Sequence, residues 1–130
     1  MSLARCFFML ENGGEQMARD DYHVVVYKIL SYLYQCLKRG DKVNAALLQY
    51  DSPMLKINQS YWEYIIYNLY TEGYINGIAL IPIDSREYPF IHELDKANVT
   101  PKGIEYLCDN SFMEKAKQFL KDVKETVPFM

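Results

Sequence analysis

The feature that most constrains this chain is a change of apolar period at Gly73. Before it, Trp62, Ile65, Ile66 and Leu69 recur at helical steps, while Ser60, Tyr64, Tyr67, Asn68 and Thr71 fall on the opposite face. Ser60-Tyr61-Trp62-Glu63 matches a capping box, in which the serine and glutamate side chains satisfy each other's unpaired amides, so the helix is predicted to start at Ser60. Past Gly73, residues 74–83 are rich in isoleucine and poor in helix formers, and Pro82 suits an edge strand. Asp84-Ser85-Arg86-Glu87 makes a turn, and residues 88–94 return as a second strand. A capped helix that runs directly into a hairpin sets the middle of the fold.

Helical patterns flank this unit. Val25, Ile29, Tyr32, Leu33, Cys36 and Leu37 mark an amphipathic helix over about residues 21–39, capped by Asp20 or Asp21 and stopped at Gly40. Residues 44–49 make about two helical turns before Asp51-Ser52-Pro53 interrupts them. Thr100-Pro101 is a cap followed by proline at the first helical position, with Ile104, Leu107 and Cys108 continuing the stripe. Ser111 and Glu114 form a second capping box ahead of Phe112, Met113, Ala116, Phe119, Leu120 and Val123. Helix, short helix, capped helix, hairpin and helices is the order of an α+β winged helix-turn-helix: a three-helix core, a two-stranded wing and extra C-terminal helices.

One such domain, residues 17–130, uses the whole periodic part of the chain. Residues 1–16 lack either period and are expected to be a disordered leader or a cloning-derived tail. Gly13-Gly14-Glu15, just upstream of Met17, can be encoded by a purine-rich stretch resembling a ribosome-binding site, so two expectations stand: a translated leader ahead of a start at Met17, or a genuine flexible extension.

The succession from Ser60-Tyr61-Trp62-Glu63-Tyr64-Ile65-Ile66 through Glu72-Gly73-Tyr74-Ile75 to Val99-Thr100-Pro101-Lys102-Gly103-Ile104-Glu105-Tyr106-Leu107 resembles the YjcQ-like family. The following Asp109-Asn110-Ser111-Phe112-Met113-Glu114-Lys115-Ala116 is similar as well, so the likeness spans about residues 20–125. It implies a small winged-helix protein of Gram-positive bacteria and their prophages. It implies no catalytic residue and no cofactor.

Two functions are open. As a DNA-binding transcriptional regulator, the chain would place Asn58, Gln59, Ser60, Tyr61 and Tyr64 at the leading end of the helix in the major groove of double-stranded DNA, with Lys56 and the wing-tip Arg86 on phosphates. Charge opposes this, because residues 41–100 hold four basic and eight acidic residues, and the whole chain is at -3. As a non-enzymatic protein-interaction module, it would meet a partner through Tyr61, Tyr64, Tyr67 and Asn68, and twelve tyrosines give it an interface-like composition. The lysine-rich last helix is expected to pair with the first helix of the same chain or of a second one, the latter making a homodimer. His23 and His92 have no metal-ligand spacing, and Cys36 and Cys108 read as buried small hydrophobes, so neither enzyme chemistry nor a cofactor is expected. Three cysteines at wide spacing and the lack of a long apolar run fit a cytoplasmic protein off the membrane.

Overall fold

A computed structural model describes residues 17–125 of the chain. The leader expected over residues 1–16 lies outside the described residues. In chain order the elements are α1 (Tyr22–Arg39), a 3₁₀ turn (Ala45–Leu48), α2 (Gln59–Thr71), β1 (Ile75–Asn76), β2 (Ala79–Ile81), β3 (Phe90–His92), a second 3₁₀ turn (Leu94–Lys96), β4 (Asn98–Val99), α3 (Pro101–Asp109) and α4 (Ser111–Asp122). The architecture is α+β and winged-helix-like.

α1 is the central helix. Every residue from Val24 to Leu30 is buried, because α4, α3 and β4 all pack against it. The single stripe expected from its period is therefore too narrow at the start of the helix and too long at its end, where Leu37 is exposed. The burial takes in Lys28, only 2% exposed, whose ammonium pairs with Glu125 and donates to the Met54 carbonyl at 3.1 Å. Arg19 Nε reaches the other Glu125 oxygen at 2.7 Å, so one carboxylate at the end of the described chain serves two cations near its beginning. Buried charge is tolerated when it is paired and hydrogen-bonded in this way.

The second core helix is reduced to one 3₁₀ turn. Proline at 53 disfavours helical backbone at Ser52, whose hydroxyl instead donates to the Leu47 carbonyl at 2.9 Å and accepts from Leu55 N at 3.1 Å. Side chains from the core hold this irregular stretch. Trp62 Nε1 donates to the Leu48 carbonyl at 2.7 Å, and Lys28 holds Met54.

α2 begins one residue earlier than expected, and its cap is Asn58, not the Ser60–Glu63 box: Asn58 Oδ1 accepts from Ser60 N at 2.8 Å and Tyr61 N at 3.3 Å. Glu63 is drawn away by an arginine partner. Asn110 likewise replaces the Ser111–Glu114 box at α4, accepting from Phe112 N and Met113 N. The Thr100 cap is as expected, with Oγ1 accepting from Gly103 N at 3.0 Å. That hydroxyl also donates to the Gly73 carbonyl at 2.5 Å, fastening α3 to the end of α2. Gly103 permits the approach, since a Cβ there would lie 2.2 Å from the Tyr74 carbonyl oxygen.

The wing is a hairpin in two pieces. Ile75 and Asn76 pair with Val99 and Asn98 at its base, and Ala79, Leu80 and Ile81 pair with His92, Ile91 and Phe90 beyond, both antiparallel. The strand at Asn98–Val99 was not expected from the sequence. The interruption has a steric origin: Gly77, at φ 89°, passes so close to Lys96 that a Cβ would sit 1.9 Å from its carbonyl oxygen. Of the two helical cysteines, Cys36 is buried but Cys108 is exposed on the outside of α3. Among the described residues, no helix is long and apolar enough to cross a membrane.

Candidate functional site

The helical phase places Trp62, Ile65, Ile66 and Leu69 of α2 in the core and turns Tyr64 outward, 46% exposed, with Tyr67 and Asn68 half-buried beside it. The outward face is not open. The loop of residues 82–89 folds back over it, turned by a hydrogen bond from Arg86 N to the Ile83 carbonyl at 3.0 Å. Arg86 then forms an ion pair with the buried carboxylate of Glu63 on α2. Behind it, the Tyr88 ring packs 6.3 Å from Tyr64 and 5.4 Å from Tyr67, centroid to centroid.

The contact continues across the molecule as a strip of rings. Tyr64 meets Tyr22 of α1 at 6.5 Å, Tyr22 meets its neighbour His23 at 5.3 Å, and His23 stacks on Phe112 of α4 at 4.4 Å. The pairs are mostly edge-to-face or tilted, the arrangement in which the positive edge of one ring meets the negative face of another. Beside the strip, Tyr74 and Tyr106 pack at 4.8 Å, and Lys102 lies 5.1 Å above Tyr74 while donating to the Glu72 carbonyl at 2.7 Å. This last bond puts a cation at the negative end of α2.

Loss of solvation dominates the titration of the strip. The Tyr22 phenol is pushed up to about 12, first by burial and then by Tyr106, Tyr64, Tyr74 and Glu72. Burial between rings lowers the His23 imidazole, with Asp21 pulling the other way. Tyr88 is raised by lost solvation and by Glu87.

The candidate DNA-contacting residues separate into groups. Lys56, Asn58, Gln59 and Ser60 are all exposed at the amino end of α2, Lys56 with a left-handed backbone at φ 51°. Asn58 spends its side-chain oxygen on the helix cap. Tyr61 turns toward the start of α1, its hydroxyl donating to the Asp20 carbonyl at 2.7 Å. The Asn68 amide donates back to the Tyr64 carbonyl at 2.8 Å on its own helix. Arg86, expected at the wing tip on a phosphate, is instead returned to α2 and neutralised by Glu63. Tyr64 and Tyr67 do share one surface, as the alternative reading requires.

Sequence reasoning missed Tyr22, His23, Tyr88 and Phe112 as parts of this surface. Tyr22, His23 and Phe112 sit in the first turn of a helix and Tyr88 in a loop, where periodicity is uninformative; the signal available was the count of twelve tyrosines, more than one small core absorbs. The lysine-rich α4 packs on α1 of its own chain.

A family model described as YjcQ protein matches residues 27–126. No curated protein and no solved structure matches the chain.

Proposed function

The chain belongs to the YjcQ family, and from that premise we propose that it is a cytoplasmic, non-enzymatic protein-interaction module that uses a winged-helix frame without reading DNA through it. The observation that carries this reading is the position of the wing loop. In a winged helix that enters the major groove, the outer face of the third core helix must be free and its flanks cationic. Here that face is covered by Tyr88, and the wing's arginine is consumed by Glu63. What remains exposed at its centre is the Tyr64 ring with its hydroxyl, a side chain enriched at protein interfaces.

Fluorescence anisotropy of the full chain with mixed-sequence duplex DNA, over a series of salt concentrations, tests the proposal. The expected result is no binding even at low salt for the parent and for Lys56→Ala. Salt-dependent binding that Lys56→Ala weakens would overturn it, because a phosphate contact at the amino end of α2 would then be in use. Photo-crosslinking from position 67 is expected to yield a discrete protein adduct in the native host.

A further inference from the structure

We infer that the wing loop is an autoinhibitory strap: residues 82–89 close the outer face of α2 in this structure, and a partner is received by the form in which they have lifted. This rests on the protein-interaction reading and names the regulation of that site. Closing a hairpin takes about two to five residues. Here the last ladder pair is Ile81 with Phe90, so eight residues lie between the strands, and the excess length folds back over the helix.

The loop is built to move apart from the strands that carry it. Pro82 follows β2 directly and Pro89 directly precedes β3. Proline has no amide N–H to give to a ladder, so pairing stops at both ends and the loop lifts without breaking a strand bond. Two side chains anchor it to α2: Arg86 pairs with Glu63, and Tyr88 lies against Tyr64 and Tyr67. Among the described residues, no other hydrogen bond joins the loop to the helix. Ile83, Asp84, Ser85 and Glu87 are exposed, Ile83 at 40% although its side chain is apolar.

The two anchors sit on the surface that the protein-interaction reading assigns to the partner. With the loop down, Tyr67 is half-buried behind Tyr88 and only the neighbouring Tyr64 ring stands open. With it raised, both rings and the Glu63 carboxylate are offered together. A partner that binds only the raised form meets an apparent affinity reduced by the fraction of molecules in that form. Arg86 is 31% exposed, and a partly exposed ion pair contributes little, so the loop closes the face without sealing it.

The test has two arms, both on the full chain. In the purified protein, dye-sensitised photo-CIDNP NMR reads which tyrosine rings are open to solvent. The Tyr67 signal is expected to be weak in the parent and in Arg86→Lys, which keeps the charge, and stronger in Arg86→Ala and Arg86→Glu. In the native host, the adduct photo-crosslinked from position 67 is expected to rise about five-fold in Arg86→Ala and to stay near the parent level in Arg86→Lys. Thermal melts of each variant establish that it is folded. An adduct that Arg86→Ala leaves unchanged or weakens overturns the inference and keeps the protein-interaction reading, since the loop would then be part of the surface the partner meets. A Tyr67 signal as strong in the parent as in Arg86→Ala does the same, because the loop would not be closing the face. No adduct from the parent or any variant, or salt-dependent binding of duplex DNA gained by Arg86→Ala, sinks the reading and the inference together.

Discussion

The two faces of α2 are held by different forces. The inner face buries Trp62, Ile65, Ile66 and Leu69 in the core that α1 and the irregular 3₁₀ stretch also line, with a single indole hydrogen bond to Leu48. The outer face is met by one loop, attached through one ion pair and the edges of three tyrosines. Burial of apolar area stabilises in proportion to area, whereas a partly exposed ion pair contributes little. The inner face therefore sets whether the chain folds, and the outer face can change what the molecule meets without unfolding it.

The largest effects should come from the inner side. Trp62→Ala removes a nearly fully buried ring and orphans the Leu48 carbonyl, and a loss of about 3 to 5 kcal/mol in chemical denaturation is expected. A variant that unfolds with the parent would erase the distinction between the faces. Glu125→Ala comes next, because it leaves the Lys28 ammonium buried without its carboxylate; about 3 kcal/mol should be lost. Should the loss be as small as that of a surface pair, Lys28 must be finding water that the packing around it does not suggest.

Outer-side changes should be smaller. Arg86→Ala breaks the tie between wing loop and helix, yet the arginine is already 31% exposed, so about 1 kcal/mol is expected. The sharper readout is local: amides of residues 82–89 should exchange with solvent faster while those of α1 do not. Faster exchange throughout would mean that the loop belongs to the core. Tyr64→Ala, at an exposed position, should shift stability by no more than about 0.5 kcal/mol.

The same contrast governs what the sequence revealed. The phase of α2, the helix stop at Gly40, the Thr100 cap and the hairpin were legible because each depends on residues a few positions apart. The Asn58 cap was hidden by a neighbouring serine of equal capping power, and Glu63 fitted a capping box while its actual partner, Arg86, lies 23 residues on. Lys28 was invisible for the same reason, as burial around the full circumference of α1 is decided by what packs on it. Tyr64 and Tyr67 were found as outward-facing residues. That Tyr88, Tyr22, His23 and Phe112 join them depends on tertiary contacts that no period encodes.

A pH profile separates the faces in a different way, with no effect at neutral pH. The Tyr22 phenol is raised from its ordinary value of 10.0 to about 12, so the folded chain holds this proton more tightly than the unfolded chain does. By linkage, the resulting stability is fully present below about pH 10 and is lost as pH rises from there toward 12. Absorbance titration of tyrosinate, run alongside alkaline unfolding, should show one late-titrating phenol that Tyr22→Phe removes, with a shallower alkaline loss of stability in the variant. Trp62 has no ionisable group, so its contribution cannot follow that profile. If Tyr22→Phe leaves both curves unchanged, Tyr22 is not enclosed among Tyr64, Tyr74 and Tyr106, and the strip is broken at the point where α1 joins α2.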